Sequence, residues 1–177
     1  MSSVGILIVD DHAAVRAGLK QLISSRPGWL ILGEAADGEE AVCQAMQLRP
    51  SAIVMDISMP KMDGLEATRR IREHLPDTEV LIVSQHDSQQ VVREAQRAGA
   101  RGFVLKSHLS ADLLPALESA LLHSSRISAP VAKAWQDVIA TAQQISRADV
   151  APSDPGPHDD LDLMSGGGEN GRSHAFP

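Results

Sequence analysis

Cysteine is nearly absent from the sequence. Cys43 is alone in 177 residues, which excludes a disulfide framework and any multi-cysteine metal site. Aromatic residues are also scarce, with no tyrosine and two tryptophans; Trp29 and Trp135 are read as packing residues rather than ligand platforms. No apolar run approaches the roughly 20 residues of a membrane-spanning helix. The opening MSSVGILIVDD lacks a basic leader and meets an acidic pair too early for a secretory signal peptide. Nor is there an excess of basic charge: residues 1–127 hold 13 Lys/Arg against 16 Asp/Glu, and residues 128–177 hold 3 against 7. A chain without a basic surface has little with which to neutralise a phosphate backbone. The phosphate-cradling patterns GxxxxGKS/T and GxGxxG are missing too, and Gly166-Gly167-Gly168 has no lysine after it. These absences lead us to expect a soluble, cytoplasmic protein with no membrane contact and no direct DNA binding.

What is present is a regular alternation. Short apolar runs at Gly5–Val9, Trp29–Gly33, Ala52–Met55, Val80–Val83 and Gly102–Leu105 read as strands covered on both faces. Between and after them, Ala13–Ser24, Gly38–Leu48, Gly64–His74, Ser88–Ala98 and Ser110–His123 carry helical spacing. Asp37 and Ser110 are candidate caps. Connections of this length suit crossovers rather than hairpins, so the spacing predicts an α/β domain with a parallel sheet and helices on both faces. Cys43 falls in an amphipathic stretch and is expected in the core. Pro130–Ile145 is expected to form one more helix, with Val131, Ala134, Trp135, Val138 and Ala142 along one face. From residue 149 onward the text is rich in Gly, Pro and Asp without apolar period, and is expected to be a disordered tail. Its His158-Asp159-Asp160 is read as a solvating run, not a metal site.

The polar residues at the strand ends carry the functional signal. In parallel sheets, functional groups collect at the carboxyl ends of the strands. Here the first strand ends in Asp10-Asp11, the third in Asp56, the fourth in Ser84 and the fifth in Lys106. Three carboxylates at one edge repel one another unless a cation sits among them, and oxygen ligands with room for water favour Mg²⁺. Lys106 and Ser84 could then hold phosphoryl oxygens.

At this point the chain resembles the receiver domain of bacterial two-component response regulators. The wording is closest to the NarL/LuxR-type branch, through ILIVDDHAAVRAGL, EAADGEEAV, VMDISMPKMDGLEATRRI and AGARGFVLKS. The resemblance covers about residues 4–125 and implies a flavodoxin-like, doubly wound (βα)5 fold with strand order 2-1-3-4-5. Together with the change of composition beyond it, the expected organisation is a receiver over 1–125, a linker and extra helix over 126–148, and the disordered tail over 149–177. By resemblance, Asp56 accepts a phosphoryl group from the phosphohistidine of a cognate histidine kinase or phosphotransfer protein. Asp11, Asp56 and the backbone carbonyl of Ser58 would ligate Mg²⁺, with Asp10 acting largely through water. Lys106 would bind the phosphoryl oxygens, Ser84 would shift inward to hydrogen-bond them, and Phe103 would be the switch aromatic. Pro60 and Gly64 would shape the loop beyond the acceptor. The output surface would lie within Ser88–His123, and homodimers would form on phosphorylation. Beyond self-phosphorylation and self-dephosphorylation no enzyme activity is implied.

Some positions depart from the broad family pattern. Ser107 stands where many receivers have a cis-proline, and Gln85 where many keep a small residue; Ser58 and His86 occupy positions that tune self-dephosphorylation. Haloacid-dehalogenase-like phosphatases also use a strand-end aspartate with Mg²⁺, but need a second carboxylate where this chain has Ser58. Regulators of the resembling branch continue into a helix-turn-helix domain. Here RISAPVAKAW (126–135) resembles the start of their linker and nothing after it matches. The chain is therefore expected to act by docking to proteins. The alternative is a truncated or frame-shifted relative of a DNA-binding transcriptional regulator.

Overall fold

The structure, a computed structural model, describes residues 3–124 and 127–148. The expected disordered tail lies outside the described residues. Five strands, β1 (Val4–Val9), β2 (Trp29–Ala35), β3 (Ala52–Asp56), β4 (Glu79–Ser84) and β5 (Gly102–Leu105), form one sheet of order β2-β1-β3-β4-β5. Every pairing is parallel. The helices are α1 (Ala13–Ser24), α2 (Gly38–Leu48), α3 (Gly64–His74), α4 (Gln89–Arg97), α5 (Leu109–Leu121) and α6 (Ala129–Ala148). The doubly wound expectation and its strand order are both borne out.

The period of two in each strand sorts the core into two layers. Ile6, Ile8, Val54, Leu81, Val83 and Val104 face one side and meet Leu19 and Ile23 of α1 and Leu113 and Leu117 of α5. Leu7, Val9, Ile53, Met55, Ile82 and Phe103 face the other, where α2, α3 and α4 pack. The central strands are buried on both faces, which is why they read as unbroken apolar runs. On the edge strand β2 burial alternates instead, and Leu30 and Leu32 are exposed.

Several expectations need correction. Cys43 is exposed, not core: α2 buries only the small residues Gly38, Ala41 and Ala45, and Cys43 lies off that stripe. Ser110 caps nothing, because a 3-10 turn over Lys106–His108 runs into α5, which starts at Leu109 without a side-chain cap. Asp37 does cap α2, accepting from the Glu40 amide at 2.9 Å. The extra helix is longer than the expected Pro130–Ile145. Its Val131, Ala134 and Trp135 are buried, whereas the side chains of Val138 and Ala142 lie outside what is described.

The turn after β3 fixes the position of Asp56. Gly64 donates its amide to the Ile57 carbonyl at 2.9 Å, and a Cβ placed on Gly64 would meet the Asp56 carbonyl oxygen and carbon and the Ile57 Cα. All three neighbours are backbone, so none can rotate away. Gly64→Ala should therefore cost about 1–3 kcal/mol through overpacking, read as a lowered melting temperature. An unchanged melting temperature would show that the loop yields.

Candidate functional site

The carboxyl ends of β1, β3, β4 and β5 meet at one edge of the sheet. Asp56 closes β3 and is only 3% exposed; Asp10 follows β1 and is 1% exposed. Between them sits the Lys106 ammonium, 2.6 Å from Asp10 Oδ2 and 3.2 Å from Asp56 Oδ1. The Asp10 carboxylate is oriented by its other oxygen, which accepts from the His12 amide at 2.8 Å. Arg16 secures the same turn from behind, donating to the Asp10 carbonyl at 2.7 Å and to Glu34 at 3.2 Å. A cleft of about 110 Å³ opens over Asp56, lined also by His12, Ser58, Gln85, His86 and Lys106.

Charge at this edge is unbalanced. Burial pushes the Asp56 carboxyl above its usual range; Lys106 opposes this, while Asp10 and Asp11 add to it. Burial also works against the Lys106 ammonium, but its hydrogen bond to Asp10 and the Asp56 and Asp10 charges outweigh it and raise its pKa. Asp10 and Asp56 thus share one ammonium, and the Asp11 charge adds to theirs. That surplus of negative oxygen suits a hard divalent cation, and the residues fit Mg²⁺ on this ground. Ligand atoms of Asp10, Asp11 and His12 lie within 4.8 Å of one another.

Not every expected residue sits in the cleft. Ser84 is buried at the end of β4, and its hydroxyl accepts from the His86 amide at 3.0 Å; it does not line the opening. Asp11 is exposed, with His12 Nδ1 2.6 Å from its Oδ1. Phe103 is fully buried, one strand away. His12 was missed by the sequence reading, although its place directly after Asp10-Asp11 was a signal for it.

The sequence matches the family described as the response regulator receiver domain over residues 6–118. The chain belongs to the response regulator receiver family. Among relatives of this receiver, the transcriptional activator protein ExaE of Pseudomonas putida is 40% identical over 129 residues, covering 73% of this chain and 60% of its own length. The nitrate/nitrite response regulator protein NarL of Escherichia coli K12 is 35% identical over 166 residues, covering 92% and 75%. A crystal structure of a LuxR-family two-component response regulator from Aurantimonas sp. SI85-9A1 superposes with a TM-score of 0.68 at 37% identity, covering 85% of this chain and all of that one. The chain thus has NarL/LuxR-family relatives, and it spans only part of the length of ExaE and NarL. Receivers typically bind Mg²⁺ at such an acidic pocket and as a class are not counted as enzymes. Among the described residues no helix is long and apolar enough to cross a membrane.

Proposed function

We propose that Asp56 accepts a phosphoryl group from the phosphohistidine of a histidine kinase or phosphotransfer protein, and that the modified receiver presents an altered protein-binding surface. What supports this reading is the Lys106 ammonium, held within 3.2 Å of the Asp56 oxygen by its pairing with Asp10. An Asp56 oxygen attacks phosphorus while the phosphorus–nitrogen bond breaks, and the electron pair leaves with the imidazole. Such transfer depends on alignment and charge neutralisation more than on covalent work by the protein. Lys106 meets the charge of the transferred group, and Ser84 turns from the His86 amide towards it. Asp11, Asp56 and the Ser58 carbonyl would hold Mg²⁺, with Asp10 behind them; when bound, the ion neutralises charge on the phosphoryl oxygens.

The relatives' names favour an output in transcription. Neither part of the chain carries a basic excess, so the described receiver would reach that output through a protein contact. The cytoplasm, where nucleotide-fed kinases work, is the expected site of action. The test is incubation with a small-molecule phosphoryl donor and Mg²⁺, followed by intact mass measurement. Wild type should gain one phosphoryl group, Asp56→Ala none, and chelation should abolish the gain. Full labelling of Asp56→Ala would refute the assignment.

A further inference from the structure

The face of α4 and β5, inside the expected output surface, already has an occupant. Ile127 forms a parallel bridge with Phe103 at the otherwise free edge of β5. The Ser128 amide donates to the Phe103 carbonyl at 3.0 Å, and the Leu105 amide donates to the Ser128 hydroxyl at 3.2 Å. That hydroxyl donates in turn to Asp112 of α5 at 2.6 Å. From this anchor α6 lays Val131, Ala134 and Trp135 into the same apolar layer as Val92, Ala95 and Phe103. The spacing i, i+3, i+4 is that of an amphipathic helix seated in a groove.

We infer that α6 is a ligand the chain carries for its own α4–β5 face, seated while Asp56 is unmodified and released when Asp56 is phosphorylated; this rests on the phosphoacceptor reading above. Two observations set the direction. The first is that docking is imperfect. Gln96 of α4 donates to the Trp135 carbonyl at 3.1 Å, yet Gln96 Oε1 and Trp135 Nε1 are both buried without a partner. Orphaned buried polar atoms offset much of what apolar burial contributes, so the docked state stands little above the free one. The second is that the anchor shares its strand with the site. Lys106 directly follows Leu105, and Ser84 pairs in register with Leu105 across β4 and β5. A phosphoryl group drawing on Lys106 and Ser84 therefore pulls on the residue that Ser128 holds. Loss of that hydrogen bond leaves the Leu105 amide unpaired beside two existing orphans, and the balance tips towards release.

Trp135 reports on this directly. Trp29→Phe leaves it as the lone indole, since the chain has two tryptophans. With acetyl phosphate and Mg²⁺, acrylamide quenching of Trp135 should rise severalfold and its emission should shift to longer wavelength. The same protein carrying Asp56→Asn should show neither change. Ser128→Ala should raise quenching without any donor, and quenching equal to the parent's would overturn the anchoring role. Intact mass of the same samples separates the failures. Phosphorylated protein whose Trp135 stays shielded overturns the inference and leaves the phosphoacceptor reading standing. Absence of a mass gain overturns that reading and the inference with it.

Discussion

Exchanging Lys106 for methionine will destabilise the receiver by about 3 kcal/mol and slow phosphoryl uptake about a hundredfold. The first effect follows from burial: the ammonium is the partner of two carboxylates that are almost fully enclosed. Methionine keeps the stem's volume but strands both charges, and breaking a buried pair from one side costs more than the pair is worth. For a chain of this length the change should lower the melting temperature by roughly 10 °C. Adding Asp10→Asn should recover part of the loss, because one stranded charge is gone. The second effect follows from the chemistry, since a preorganised cation acts where charge develops. Asp10→Asn should not restore the rate. Restoration of both together would mean that Lys106 serves only the fold.

The second large effect lies at the opposite end of the sheet. Glu79 opens β4, is 3% exposed, and is held by Arg101 at 3.0 Å, Arg72 at 3.7 Å and His123 Nδ1 at 2.8 Å. Burial alone would raise its carboxyl, but Arg101, His123 and Arg72 together hold it below the usual range. A carboxylate depressed in the folded state stabilises above its unfolded pKa, about 4.3, and that stability is lost as pH falls through the depressed value. Glu79→Gln should therefore cost about 2 kcal/mol near neutrality, the solvent-facing ends of Arg101 and His123 reducing it from the fully buried range. Thermal melts across an acid series would test this: the gap between wild type and Glu79→Gln should be widest at neutral pH and shrink as pH falls below the unfolded pKa of about 4.3. A gap independent of pH would assign the loss to packing.

The sequence disclosed the fold because the strands of a doubly covered parallel sheet have no solvent face to disguise them. GILIV, AIVM and VLIV could be read as buried for that reason. Their ends were read short wherever a polar residue was buried with a partner, as at Glu79, Ser84 and Asp56. The acidic edge was legible because Asp10, Asp56 and Lys106 each stand directly after an apolar run, where the direction of the strand brings them together. Glu79 was not legible. A glutamate at a strand's start looks solvent-facing until Arg72, Arg101 and His123 arrive from three separate segments. Cys43 misled because α2 fully buries only glycine and alanine, and Cys43 lies off that stripe although it falls within the apolar pattern. The seating of α6 was also hidden, since its spacing shows an apolar face but not which surface receives it.

Chemical mapping of the phosphorylated side chain tests the assignment of Asp56 most directly. After phosphorylation by a small-molecule donor with Mg²⁺, borohydride reduces an aspartyl phosphate to homoserine, and tandem mass spectrometry then locates it. Homoserine should appear at residue 56 alone, in an amount that falls with Lys106→Met. Homoserine at residue 10 or 11, or spread among them, would contradict the assignment of Asp56 as the nucleophile.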